Sequence, residues 1–394
     1  MNERPGELPV GPTPTAAPGD APARRGRLTG IDLVRTLAVV AVLYSHISYY
    51  LIDDRGEGWW AIDVVYKVFV EGLELNNHLS FVGVGFFMVL TGLLITGSVT
   101  RHSPGTFLAN RIGRLLPLLW VSVAAAILLV RLGINGMFSG QHGIGNVEAA
   151  LSFVLGGFFL KPEVAVLGVT WTLLAQIAFY LYCTAARPLL RRAPIAVPIL
   201  GAALCAAVLL YNHYVPQVAA VPMLSKLAAT MPAVFAGQLL YFAWQGLASW
   251  RWLLAGAFAQ ITVVRLAGDV HAYWAGDRYL WTIVVVAAVV VLLADRDGIL
   301  ARSRTVHWVG TRSYAIYLLH TLILYRVFEN TVGWLGTTGA VLAFLAVTAL
   351  ASEVAYRWIE VPTSRRIAAR FATPPKQAPA TGSLDAESAT PTRE

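Results

Sequence analysis

Charge is scarce in this chain. Only 13% of its 394 residues are Asp, Glu, Lys or Arg, against about a quarter in a soluble domain. Apolar residues make up 57%. A single soluble core is therefore excluded, and a polytopic membrane protein is indicated. Cysteine is also rare: only Cys183 and Cys205, both inside apolar runs. They have no metal-ligand spacing and no extracellular loop around them, so they read as small buried hydrophobes rather than a disulfide. No His–Cys zinc spacing appears, and no metal site is expected. There is no Gly-rich phosphate loop followed by Lys-Ser/Thr, so ATP hydrolysis is not expected. The Gly-x-Ser-x-Gly elbow of a serine acyl-enzyme is missing too.

The ends of the chain are poor in apolar residues. Residues 1–27 are rich in Pro, Ala and Gly and lack the apolar run of a cleavable leader, so they read as a disordered cytoplasmic arm. Residues 373–394 read as a disordered cytoplasmic tail. The body, 28–372, reads as one membrane domain with no appended soluble domain.

Stretches of spanning length, about 20 residues, fall near 30–52, 80–97, 115–132, 167–186, 194–211, 222–242, 252–267, 279–294, 313–330 and 335–356. The expected fold class is thus all-α, a bundle of about ten spanning helices. A further apolar stretch, 147–160, is short and interrupted by glycine. Counting it as re-entrant or surface-lying keeps Arg187, Arg191 and Arg192 on the inner side, as the positive-inside rule favours. Most of the 30 basic residues then lie inside, and both termini are expected in the cytoplasm. Arg55, Lys67, Arg131, Lys161, Lys226, Arg265, Arg278 and Arg326 fall outside or at outer helix ends. The net charge of +8 is accordingly a topology signal, not a nucleic-acid footprint. The 12 Trp and 15 Tyr suit interface belts. The outer loop 53–79 carries six acidic residues and reads first as a solvated acidic loop, with a short interfacial helix in its VVYKVFVEGLE stretch as the alternative.

The most informative segment is the first span, GIDLVRTLAVVAVLYSHISYYLI, residues 30–52. It holds Asp32, Arg35 and His46. Ionisable groups at membrane depth are costly and usually face a bundle interior, a partner or a substrate path. At about 100° per residue, Arg35 and His46 are three turns apart on one stripe, roughly 16 Å from each other. Asp32 lies one turn below Arg35 and can pair with it. A lone helical histidine is commonly a satisfied core residue. Three polar groups on one stripe make a candidate catalytic wall instead.

Arg35, ten residues and then His46, preceded by Asp32, resembles the opening of the acyltransferase-3 family of integral membrane O-acyltransferases. Further segments match in order. FVGVGFFMVLTGLLIT (81–96) is similar to the family's Gly-Val-x-x-Phe-Phe-x-x-Ser-Gly-Phe-Leu helix. RIGRLLP (111–117) resembles Arg-x-x-Arg-x-x-Pro, and WTLLAQIAFYL (171–181) resembles Trp-Ser/Thr-Leu-x-x-Glu-x-x-Phe-Tyr. SYAIYLLH (313–320) and IEVP (359–362) complete the set. The resemblance spans about 28–366. Thr91 stands in the Ser place of the 81–96 helix; the departure that matters is Gln176, where the family has Glu, since an amide can hydrogen-bond but cannot act as an acid or base.

The resemblance implies an acyltransferase transferring groups other than amino-acyl groups, with acyl-CoA, most simply acetyl-CoA, as co-substrate and no bound cofactor. It assigns His46 as general base, for which an imidazole is suited, with Arg35 on the same stripe to bind the donor's carbonyl, amides or phosphate or to stabilise the oxyanion, and Asp32 to orient Arg35. Arg111 and Arg114 would grip the coenzyme A phosphates in forked geometry. Trp171, Gln176, Tyr180 and His320 are acceptor or pocket residues. An amide at the depth of Gln176 needs a partner, and His46 or a substrate hydroxyl is the expected one. Glu360 is expected to pair with a nearby arginine, and His271 and His307 to lie in loops. The partners implied are acyl-CoA, a hydroxylated acceptor (glycan or natural product) and the lipid bilayer of the plasma membrane, with no nucleic acid. The acceptor is expected to be a carbohydrate or a glycosylated small molecule. The composition, rich in Ala, Arg, Gly and Val, fits a high-GC bacterial genome, where O-acetylation of envelope glycans and macrolide-type antibiotic tailoring are both possible. A transporter using Arg35 and His46 as a proton or solute site, or a catalytically weakened relative, is the alternative of another class.

Overall fold

A computed structural model of the chain describes residues 28–134, 143–160, 165–270, 272, 274 and 276–370. The two terminal arms expected to be disordered lie outside the described residues, as do Lys161 and His271. No strand occurs among the described residues, and the expected all-α class is what the chain forms.

Helix α1, Ile31–Tyr49, continues as a π-helical turn, Tyr50–Asp54. A short helix α2, Trp60–Val65, runs into a π turn, Tyr66–Glu71, so the VVYKVFVEGLE stretch, read from the sequence first as a solvated acidic loop, begins as helix. Helix α3 is Val82–Arg101 and α4 is Pro104–Arg131. Ser103 caps α4 by accepting the Thr106 N–H at 3.3 Å, with Pro104 in the first turn, where a missing N–H costs nothing. Two short pieces, α5 Asn146–Phe153 and α6 Gly157–Leu160, replace the interrupted apolar stretch. Neither is long enough to cross a bilayer at 1.5 Å per residue. The chain continues with α7 Trp171–Ala185, α8 Arg187–Arg192, α9 Ala196–Tyr214 and α10 Pro222–Gln245. It ends with α11 Trp250–Asp269, α12 Asp277–Leu293, α13 Arg304–Ala355 and, after a π turn at Tyr356–Glu360, α14 Val361–Arg370.

Six helical segments among the described residues are both long and apolar enough to cross a membrane. They are α1 with its π extension, α3, α4, α9, α10 and the rod Arg304–Ile367. The rod is broken at Gly336, whose φ of 67° and ψ of 174° are open to glycine but strained for other residues. It thus carries both stretches expected at 313–330 and 335–356. The expected count of about ten is not reproduced on this measure. With 15 residues, α7 is too short for a perpendicular crossing, and the apolar part of α12, Arg278–Leu293, is shorter than a full span. Helix α11 is long enough, with 20 residues, but Gln260, Thr262 and Arg265 dilute its apolar character.

Helix α3 is the centre of the bundle: 83% of its apolar window is buried inside the protein, against 33% for α4 and α9. A helix apolar on every side belongs in the middle. Helix α10 packs against it most closely. A Cβ on Gly92 would lie 1.9 Å from the Val234 carbonyl oxygen, and one on Gly237 would lie 1.9 Å from that of Val89. The two glycines face each other across the crossing and let the backbones touch, the small-residue contact that membrane helices use where lipid offers no hydrophobic drive. The fully buried Gln238 donates to Thr96 Oγ1 at 3.4 Å across the same seam.

The two arms of α13 are tied at one end by Glu353. Its carboxylate accepts from Trp308 Nε1 at 2.8 Å and from Arg312 Nη2 at 3.1 Å, and it also pairs with Arg357. At the opposite end Glu329 accepts from Arg55 Nη1 at 2.6 Å and from the Tyr50 hydroxyl. Helix α1 is fixed between α3 and α13. Exposed tryptophans mark both ends of the bundle, Trp60 and Trp334 at one and Trp250, Trp252 and Trp358 at the other, as interface belts do.

Candidate active site

Two cavities enter the bundle along α1. The first, about 170 Å³, is lined by Arg35, Arg111, Arg114, Gln176, Tyr180 and Glu360, among others. The second, about 390 Å³, is lined by His46, His78, Trp171, Lys226, Trp274 and Arg326, among others. Arg35 sits one turn into α1 and His46 in its last turn, so the cavities belong to opposite ends of the bundle. Val84 and Tyr317 line both. The single wall expected from the stripe is therefore divided: the guanidinium faces one chamber and the imidazole the other. The physical reason is Tyr317. Its ring stands 5.5 Å from that of Phe87. Its hydroxyl donates to the Val169 carbonyl at 3.0 Å and meets Thr172 Oγ1 at 2.8 Å. That side chain, fixed by α7 and its preceding turn, fills the space between the chambers.

In the first chamber Arg35 Nη1 lies 3.5 Å from Asp32 Oδ1, the pairing expected one turn apart. The other Asp32 oxygen meets His307 Nδ1 at 2.8 Å. His307 is not in a loop: it lies in the first turn of α13, whose N-cap is Ser303, and its N–H donates to the Ser303 carbonyl at 3.0 Å. Asp32 thus ties α1 to α13 and orients Arg35. Arg111 and Arg114 lie one turn apart on α4. Arg111 Nη2 donates to Ser98 Oγ at 2.9 Å, and Arg114 Nη2 lies 3.5 Å from Glu360 Oε1, the arginine partner expected for Glu360. Glu360 is 3% exposed, whereas the Arg114 side chain is 52% exposed, so Arg114 stands at the mouth. Gln176 accepts from the Tyr180 hydroxyl at 3.4 Å. It lines the chamber of the arginines, away from His46, because α7 runs with its Trp171 end at the other chamber.

In the second chamber the His46 ring packs against His320, with centroids 4.8 Å apart and planes at 60°. His320 is completely buried and lines neither chamber. Its Nδ1–H donates to the Tyr317 carbonyl at 2.7 Å, which leaves Nε2 as the basic nitrogen, buried with no hydrogen-bond partner among the described residues. Ser48 Oγ lies 2.8 Å from His78 Nδ1, and His78 Nε2 lies 3.0 Å from Asp53 Oδ2. Trp171 lines this chamber, and the Lys226 ammonium lies over its ring at 4.4 Å from the centroid.

Sequence reasoning missed Lys226 and Arg326 as cavity residues and counted them only as outer charges. A signal was present, since both stand inside apolar helices, where an ionisable side chain is a functional candidate by default. It also missed the dividing role of Tyr317, which no local pattern reveals. No group of three or more His, Cys, Asp or Glu able to hold a metal occurs among the described residues.

No curated protein and no solved structure matches the chain at a significant level. Residues 28–356 match the acyltransferase domain model of the acyltransferase-3 family, nearly all of the described bundle, and the chain belongs to that family of membrane acyltransferases.

Proposed function

We propose that this acyltransferase moves an acyl group from acyl-CoA to a hydroxyl of a carbohydrate or glycosylated small molecule, with His46 as general base. The observation that carries the reading is the pair of chambers meeting at Tyr317 and Val84, one rich in arginine and one holding the histidine. The arginine chamber is the donor side. At about 170 Å³ it is below the usual size of a small-molecule site, so it admits a slender pantetheine arm and leaves the nucleotide outside. The half-exposed Arg114 and its neighbour Arg111 would hold phosphates at that mouth. Arg187 and Arg191 donate to the carbonyls of His102 and Thr100 nearby, which makes this the basic end of the bundle and, by the positive-inside rule, the cytoplasmic one. The acceptor then enters the larger chamber from outside the plasma membrane.

The chemistry is a single displacement. His46 takes the proton of the acceptor hydroxyl as its oxygen attacks the thioester carbonyl. The tetrahedral oxyanion collapses, the carbon–sulfur bond breaks, and the coenzyme A sulfur leaves with the proton returned by His46. Arg35 is about three helical turns from His46, too far to touch that oxyanion. It is better suited to the donor's amides or phosphates, with Asp32 orienting it. Gln176 faces the donor arm, where an amide suffices.

Purified protein given acetyl-CoA and a panel of sugars and macrolides should release free thiol and form an ester. Thiol release absent with every acceptor, together with solute uptake in vesicles, would favour the transporter reading instead.

A further inference from the structure

We infer that Glu360 recognises the donor: its Oε2 accepts an amide N–H of the pantetheine arm of acyl-CoA in the arginine chamber. The inference rests on the proposed donor role of this chamber and adds the contact that tells an amide-bearing arm from a plain thioester chain. Glu360 lines the chamber and is 3% exposed. It is the only carboxylate among the described lining residues. Its charge is compensated. Oε1 lies 3.5 Å from Arg114 Nη2, and the charges of Arg35 and Arg312 also act on it. What Glu360 lacks is a good hydrogen bond. Oε2 is buried with no partner among the described residues, and the Arg114 contact is long for a hydrogen bond. Buried polar atoms are almost always satisfied, because an unsatisfied one is destabilising. A cavity-lining acceptor in that condition suits the N–H of a ligand. Glu360 also closes the π turn Tyr356–Glu360, an irregularity common at functional sites.

The surroundings fit an amide at this point and not a phosphate. A phosphate beside Oε2 would meet like charge in a medium of low dielectric, so the phosphates stay at the exposed side of Arg114. Arg35 lines the same chamber and offers N–H groups to an amide carbonyl. Carboxylate and guanidinium together meet both poles of an amide. The lining hydroxyls are turned elsewhere: Thr91 donates to the Phe87 carbonyl at 2.8 Å, Thr311 to that of His307 at 2.7 Å and Tyr314 to that of Leu115 at 2.7 Å. Val84, Met88, Leu90 and Leu94 of α3 supply an apolar wall, which suits the carbons between the two amides of the arm. Along α13 the lining runs from Gly310 to Tyr317, about 10 Å at 1.5 Å per residue. An arm held at the Arg114 end has that length in which to bring its thioester to Tyr317 and the chamber of His46.

The test is a calorimetric titration of the full chain in nanodiscs with coenzyme A and with two analogues, in which one or the other amide N–H of the arm is replaced by an ester oxygen. In the parent protein one of these replacements should weaken binding by about tenfold or more, the scale of one charge-assisted hydrogen bond. Glu360→Met, similar in shape but without an acceptor, should weaken coenzyme A by a similar factor and bind coenzyme A and that analogue alike. Glu360→Gln keeps an acceptor oxygen and should retain part of the preference. Adenosine bisphosphate, which carries phosphates and no arm, should bind the parent and Glu360→Met equally, reporting that the mouth and the fold are intact. If it does not, the comparison of ligands on the parent protein decides alone. Equal affinity of the parent for coenzyme A and both analogues, or a preference that survives Glu360→Met in a folded protein, would overturn the inference and leave the donor chamber standing. Coenzyme A that does not bind at all would remove both.

Discussion

His46 and His320 lie ring against ring, 4.8 Å between centroids, yet only His46 faces a cavity. His320 is held by its Nδ1–H on the Tyr317 carbonyl, so on the proposed mechanism it supports His46 rather than contacting substrate. His46→Ala should lower turnover by about 10² to 10⁴-fold, the usual worth of a general base. His320→Ala should lower kcat less and leave KM for acyl-CoA unchanged, since it removes support behind the base and touches no substrate. Steady-state thiol release measures both. A fully active His46→Ala protein would remove the base assignment.

Tyr317 stands between the two chambers, proposed above to hold donor and acceptor. Tyr317→Phe keeps the ring and loses the hydroxyl shared by Val169 and Thr172, at a cost of about 0.5–1.5 kcal/mol in stability, with transfer retained. Tyr317→Ala should join the two chambers and admit water to the thioester. Thiol release without any acceptor should then rise above the parent level. Acceptor-free hydrolysis unchanged in Tyr317→Ala would show that another group closes the passage.

Glu360 is buried beneath the more exposed Arg114. Arg114→Ala should therefore cost about 1–3 kcal/mol, the penalty for stranding a buried acceptor, besides raising KM for acyl-CoA. Adding Glu360→Gln should recover much of the stability and none of the KM. Thermal unfolding in detergent and donor saturation curves separate the two effects.

The α3–α10 seam predicts a sharp contrast between glycines. Gly237→Ala places a methyl 1.9 Å from the Val89 oxygen, so the helices must move apart, at about 1–3 kcal/mol or more. Gly105, in the first turn of α4, has nothing within 4 Å of a built Cβ. Gly105→Ala should be neutral or slightly stabilising. The melting temperatures of the two variants should move in opposite directions or by clearly different amounts.

Much of this was legible in the sequence because membranes make long apolar runs unmistakable and make polar residues inside them conspicuous. The pairing of Asp32 with Arg35 needs only helical spacing, and the last long rod reads as two stretches, 313–330 and 335–356, although the break itself falls at Gly336, inside the second. The span count was less secure. Short or polar-diluted helices such as α7 and α11 can be held by their neighbours without meeting the length and apolarity of an isolated span.

By itself, then, the order of residues fixed the helical class, the positions of the long helices and the alignment of Arg35 with His46 on one face of α1, because each follows from local periodicity and from the cost of bare backbone in lipid. Which residues meet was decided by packing. Helix α7 packs against the crossed α3 and α10, and α13 packs along α1; together they put Tyr317 between the arginine and the histidine, Gln176 with the arginines, and Lys226 and Arg326 in the chamber of His46. Such contacts join residues far apart along the chain, and only the closed bundle brings them within reach.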